Sequence, residues 1–162
     1  MPDRAEALTS PLLAAADFAH AFFTRRGGVS PPPWGSLNFA ASTGDDPARV
    51  DENVRRAALA LGVPAARIYY LSQVHGVACV KLDGGEDRAE VVRREGDATL
   101  ATAPGVACGV RSADCVPVLV GDRASGAALA VHSGWRGTEQ DVVAAGVAAL
   151  RDAIGGRGDL VT

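Results

Sequence analysis

Lysine is almost missing from this chain: Lys81 is the only one among 16 basic residues in 162. With a formal net charge of −3 and no block of basic residues, the chain lacks the electrostatic footprint of a duplex nucleic-acid binder. Aromatics make up only 5%, so the core must be built from small aliphatic side chains. Cysteine is scarce and odd in number, at three, which fits a reducing cytoplasm better than a disulfide framework. No run approaches the roughly 20 apolar residues that a membrane span needs. Near the start, Asp3, Glu6 and Asp17 surround the short run Leu12-Leu13-Ala14-Ala15-Ala16. A secretory signal would need a positive start and an unbroken apolar stretch, so a cytoplasmic protein is expected. What is present is 48% hydrophobic residues. That is the composition of a globular chain able to bury a core, and the length predicts a single domain over 1–162.

The pattern predicts strands more often than helices. Residues 1–20 read as a frayed start, followed by a strand over 19–24 that ends at Arg25-Arg26-Gly27-Gly28. The prolines between Ser30 and Trp34 require an extended loop. Asp46-Pro47 is a helix start, with Asp as N-cap and Pro at the first helical position. Val50, Val54, Ala58 and Leu61 then share one face, and Gly62 stops the helix. Strands are expected over 68–74 and 77–82, then a solvated acidic turn over 83–87 and a short strand or connection over 90–94. Further strands are expected over 97–101, 106–111, 116–121 and 127–132, the last two joined as a hairpin. Thr138 reads as the cap of a final helix with Asp141 at its third position, Val143, Val147, Leu150 and Ile154 on one face, and Gly155-Gly156 at its end. The fold class expected is α+β, with mixed β-sheets covered by helices. No internal repeat is apparent.

Three separated segments carry the chemistry: Ser72-Gln73-Val74-His75-Gly76, Ser112-Ala113-Asp114-Cys115-Val116-Pro117 and Val131-His132-Ser133-Gly134-Trp135-Arg136-Gly137. Each places a metal-capable or nucleophilic side chain at or just past the end of a β-like run. Two imidazoles and a thiolate make a three-ligand zinc set with the fourth position open for water or substrate. The same three residues also read as a metal-free pair, with Cys115 as nucleophile and a histidine as its base. Cys79 and Cys108 lie in apolar runs and read as small core residues. Asp114 and Asp97 each have two readings, a carboxylate orienting an imidazole or a cap on strand-end backbone. Gln73 faces a pocket or simply ends a strand. Arg25, Arg26 and Arg136 are the candidate anion readers, since a guanidinium fork matches phosphate geometry, with Arg25 favoured and Arg26 read as a solvated neighbour. Trp135 either stacks on a base or caps the core, and the core is the favoured reading. Asn38 either fixes its loop through backbone hydrogen bonds or touches substrate.

These segments, in this order, resemble one family. Phe23-Thr24-Arg25-Arg26-Gly27-Gly28-Val29-Ser30, Ser36-Leu37-Asn38-Phe39, Gly44-Asp45-Asp46-Pro47 and Asn53 come first. Gln73-Val74-His75-Gly76, Asp97-Ala98, Pro104-Gly105, Ala113-Asp114-Cys115-Val116-Pro117 and His132-Ser133-Gly134-Trp135-Arg136-Gly137 complete the series. The chain is similar to the YfiH-like, multicopper polyphenol oxidoreductase (laccase-like) family, also described as purine nucleoside phosphorylases with a laccase domain. Ser133 stands where Ala is usual and Phe39 where Leu is usual. Members also continue past Val161-Thr162 into a further segment, so a C-terminal part of the family's usual length is expected to be absent. The resemblance implies cysteine-hydrolase-like αββα layers and a metal-dependent enzyme that splits purine nucleosides with phosphate, with adenosine deamination at the same site. It assigns His75, Cys115 and His132 to zinc and catalysis, Arg25 to phosphate, and Asn38 and Arg136 to substrate binding. Copper-dependent phenol oxidation, implied by the family's older name, and a non-catalytic partner-binding module are the alternatives.

Overall fold

The computed structural model describes residues 4–162, so the Asp3 reading lies outside the described residues. The chain divides into two compact units, residues 1–65 and 66–162. In chain order the elements are β1 (Ala7–Leu8), α1 (Pro11–Ala15), β2 (Phe22–Phe23), α2 (Pro47–Leu61), β3 (Ile68–Tyr69), β4 (Cys79–Leu82) and α3 (Arg88–Val91). Then come β5 (Ala98–Ala101), β6 (Ala107–Cys108), β7 (Val116–Asp122), β8 (Ala128–Ser133), α4 (Trp135–Glu139), α5 (Val142–Ile154) and β9 (Leu160–Val161). The fold is α+β, as the sequence pattern predicts.

The first unit is organised around α2. Asp46 caps it by accepting from the Ala48 N–H, and the helix ends at Gly62, as expected. Val50, Val54, Ala57 and Ala58 are buried on one face. Among them sits Asn53, wholly buried, and its amide ties down the preceding loop. It accepts from the Val29 N–H at 2.8 Å and donates to the Ser30 hydroxyl, the Ser36 carbonyl and the Asn38 carbonyl. Ser30 in turn donates to Asp45 at 2.6 Å. A loop rich in proline and glycine cannot make ladder bonds, so a buried amide supplies its partners instead. The start of the chain is more ordered than expected: β1 pairs antiparallel with β2, and Ser10 caps α1.

The second unit holds a five-stranded mixed sheet in the order β4-β5-β8-β7-β9. β4 runs parallel to β5, and the other neighbours are antiparallel. Helix α5 packs on β4, β5 and β8. The core between them is Ala98, Leu100, Val120, Ala127, Leu129, Val131, Val142 and Leu150. The helix face is centred on Val142, Gly146 and Leu150, with Val143, Val147 and Ile154 at its margin.

Several expectations need correction: the strands expected over 19–24 and 106–111 shrink to β2 and β6. The strand expected over 68–74 pairs as a ladder only at β3, which lies parallel to β6; beyond it the backbone touches its neighbour at the single bridge Ser72↔Glu95. Of the two readings of 90–94, a short strand or a connection, the strand is absent: the segment is the end of α3 and a turn, because Asp87 caps a helix by accepting from the Ala89 N–H. The final helical segment is two helices, so Thr138 lies inside α4, its hydroxyl donating back to the Gly134 carbonyl, and does not cap α5. Asp141 takes the left-handed conformation (φ 58°) that separates α4 from α5. No helix of the described residues is long and apolar enough to cross a membrane.

Two buried polar groups yield predictions. Replacing Asn53 by Ala removes a hub of four hydrogen bonds and leaves their partners unmatched. It should cost about 3 kcal/mol of unfolding free energy by denaturant titration. Asp122, 1% exposed, accepts from the Ser125 hydroxyl, the Ser125 N–H and the Asp159 N–H. The bond from Ser125 holds its carboxyl below the usual range against the opposing pull of burial, with the backbone donors adding to it. A depressed folded value means that this stabilisation is complete above the ordinary carboxylate pKa of about 4 and is lost as pH falls through the folded one. The urea midpoint should therefore drop on acidification below about pH 4, and Asp122→Asn should flatten that part of the profile.

Candidate metal centre

Strand register brings the three reactive segments to one end of the five-stranded sheet. β8 is antiparallel to both neighbours, so its end meets the beginnings of β5 and β7. The pairs Val116↔Ser133 and Pro117↔His132 carry Cys115, just before β7, to the end of β8. The pair Ala98↔Val131 sets Asp97 beside His132, and the His132 N–H donates to the Asp97 carbonyl at 2.7 Å. Along β8, Leu129 and Val131 face the α5 core, so alternation puts His132 on the opposite face. His75 comes from the loop that leads into β4. That loop is tied to the Cys115 segment by Gln73, whose side-chain amide exchanges two 2.7 Å hydrogen bonds with the Arg111 backbone.

The ligand atoms of His75, Cys115 and His132 all lie within 4.8 Å of one another. Cys115 Sγ is 3.7 Å from His75 Nε2. The two imidazoles stack, with centroids 5.0 Å apart and planes inclined by 27°. His132 is buried, and the other two are half-buried. Tetrahedral zinc with ordinary Zn–N and Zn–S bonds spaces its donors roughly 3.3–3.6 Å apart. The Cys115–His75 separation is already close to that, and closing the wider spacing takes about 1 Å of side-chain movement. Two nitrogens and one sulfur are also the donor types that zinc takes. The residues present therefore fit a metal with an open fourth position.

Burial, then Asp114 and Asp97, push the Cys115 thiol above its ordinary value. A bound divalent cation would favour the thiolate. Cys79 and Cys108 are pushed further, to about 11, by burial among core residues, in line with their reading as small core side chains.

The chain matches the model of the multi-copper polyphenol oxidoreductase laccase family over residues 19–161. It belongs to that family. Among its relatives, "Purine nucleoside phosphorylase ORF3" of Streptomyces griseus is 42% identical over 144 residues, which cover 88% of this chain and 56% of that protein. "Purine nucleoside phosphorylase YfiH" of Escherichia coli (strain K12) is 43% identical over 114 residues, covering 70% and 45%. Of solved structures, YlmD from Geobacillus stearothermophilus superposes with a TM-score of 0.81 at 28% identity, over 98% of this chain and 63% of that one. YfiH from Bacillus licheniformis gives 0.77 at 26%, over 83% and 52%. The chain thus spans about half the length of the curated relatives it matches.

The structure separates the carboxylates that the sequence left ambiguous in this family member. Asp97, with no exposed surface, accepts from His132 Nδ1 at 2.8 Å and from the N–H groups of Val74, His75 and Gly76 at 3.2, 3.0 and 2.7 Å. Burial alone would raise its carboxyl, but the hydrogen bonds from His132 and the three backbone donors outweigh it and hold it low. Asp114 is exposed and its nearest partner is Cys115 Sγ, at 3.7 Å. The other expected site residues fall as follows. Arg25 lies exposed in the first unit and donates through Nε to the Gly35 carbonyl. Asn38, in the same unit, fixes its loop through Ala40, Thr43 and Asp45. Arg136 lies over the Trp135 ring at 4.8 Å. Trp135 is 66% exposed at the start of α4, which overturns its reading as a core cap.

Two glycines, Gly134 and Gly137, provide clearance. A Cβ on Gly134 would overlap His75 Cδ2, and one on Gly137 would come within 2.9 Å of the Gly76 carbonyl. α4 therefore lies directly against the His75 loop. Gly134→Ala should push the His75 ring out of its stack on His132. The check is the ring-current shift of the two imidazole proton sets by NMR, which should shrink towards isolated-ring values while the fold persists.

Proposed function

We propose that this chain carries a zinc-dependent activity on purine nucleosides: phosphorolysis to free base and pentose 1-phosphate, with adenosine deamination at the same site. The observation that carries the reading is the convergence of His75, Cys115 and His132 within 4.8 Å. The names of the relatives give the substrate class. A zinc ion held by these residues supplies Lewis-acid polarisation and lowers the pKa of water it binds to about 7. In phosphorolysis a phosphate oxygen forms the bond to C1′, the bond from C1′ to the base nitrogen breaks, and the base leaves with a proton. In deamination, water replaces the C6 amino group and ammonia leaves.

His75, Cys115 and His132 hold the metal. The family resemblance assigns phosphate to Arg25, whose side chain is exposed, and substrate binding to Asn38 and Arg136. Three free cysteines support a cytoplasmic setting.

Purified protein incubated with adenosine, with and without phosphate, tests this reading. Adenine that appears only with phosphate supports phosphorolysis, and inosine without phosphate supports deamination. Neither product from folded protein would overturn the assignment. Cys115→Ala should remove bound zinc and turnover together, leaving circular dichroism unchanged; zinc that stays stoichiometric in that variant would refute the ligand set. Arg25→Ala should raise the KM for phosphate roughly ten- to hundredfold, the loss of a charged hydrogen-bonding group worth ~1.5–3 kcal/mol. Deamination should change little, and an equal loss in both reactions would sink the phosphate role.

A further inference from the structure

We infer that Asp97 is the positioning residue of this site: one buried carboxylate sets the tautomer of His132 and the backbone conformation of His75, and so presents both imidazoles to the metal. The inference rests on the metal reading above.

The geometry divides the work between two oxygens. Oδ1 accepts from His132 Nδ1 at 2.8 Å and from the His75 N–H at 3.0 Å. Oδ2 accepts from the Gly76 N–H at 2.7 Å and the Val74 N–H at 3.2 Å. Three of the four partners are backbone N–H donors, which favour the ionised carboxylate, and an ionised carboxylate can only accept. His132 must then carry its proton on Nδ1, which leaves Nε2 as its ligating nitrogen. At the same time His75 has φ of 60°, the left-handed region that a non-glycine residue occupies only at a cost. Three successive N–H groups, those of residues 74 to 76, point at one carboxylate across that residue. The clamp holds the loop in the strained conformation, and Gly134 leaves room for the ring.

The isosteric change Asp97→Asn is therefore not conservative. An amide NH₂ at the Oδ2 position would face two backbone donors. At the Oδ1 position it would face the His75 N–H and turn His132 Nδ1 into an acceptor, moving the ring proton to Nε2 and blocking ligation. No orientation of the amide satisfies all four partners.

Two measurements test the inference. Long-range ¹H–¹⁵N NMR of the metal-free parent, at a pH where the rings are neutral, should show His132 as the Nδ1–H tautomer; an Nε2–H tautomer would overturn the inference without any variant. Competition with a chromophoric chelator should show Asp97→Asn, checked for folding by circular dichroism, binding zinc 10- to 100-fold more weakly than the parent. It should also show a His132 tautomer shifted towards Nε2–H. A folded variant with the parent's zinc affinity and tautomer would refute the positioning role. A parent that binds no zinc would instead overturn the metal reading itself, so the two failures are told apart.

Discussion

The candidate site depends on one buried carboxylate. Asp97 stands where the loop leading to β4, the start of β5 and the end of β8 come together, and it bonds to the first and last of these. A carboxylate with no exposed surface is unfavourable unless every lone pair is matched. Here four N–H donors match it, so the cost of burial becomes a constraint on its surroundings: if any donor swings away, a buried charge loses a partner. Each strand on its own could tolerate small slips of angle. The shared anion couples them, which is how a half-exposed loop residue such as His75 is held beside a buried strand residue such as His132.

The first unit uses the same device with a neutral group. Asn53 offers both a donor and an acceptor, and the loop around residues 29–38 supplies their complements. A carboxylate could not replace it, because donors are needed towards Ser30, Ser36 and Asn38. The chemical difference between Asn53 and Asp97 follows from what they face. Asn53 meets a hydroxyl and carbonyls as well as an N–H, whereas Asp97 meets only N–H groups.

Much of this was legible in the sequence because it rests on local chemistry. Asp46-Pro47 and Gly62 bound α2 through capping and the left-handed stop, both set by residues in the turn itself. The cluster of His75, Cys115 and His132 was legible through residue type and position at strand ends. Length was misread where an element is fixed from outside: β3 is two residues because β6 offers it only a two-residue edge. α4 was hidden because Gly137 is unfavourable inside a helix, yet the close approach to the Gly76 carbonyl requires it. Trp135 was misplaced because a bulky aromatic next to buried β8 reads as core, while the turn into α4 carries it outward. Asp97 was ambiguous because both of its readings hold: it caps backbone and orients an imidazole with the same two oxygens.

The donor set alone admits more than one metal, since two imidazoles and a thiolate also serve mononuclear copper. Multicopper oxidation needs more than a first site; it needs a second cluster to receive the electrons, and such clusters are built from further histidines. The chain has one more, His20. Its Nδ1 donates to the Phe18 carbonyl and its Nε2 accepts from the Ser10 N–H, so both ring nitrogens serve the turn after α1. Among the described residues, His75, Cys115 and His132 are the one group of three or more metal-capable side chains that comes together. A mononuclear site with an open position suits polarisation and proton chemistry on a bound substrate, which is what breaking a glycosidic bond or displacing an amine requires.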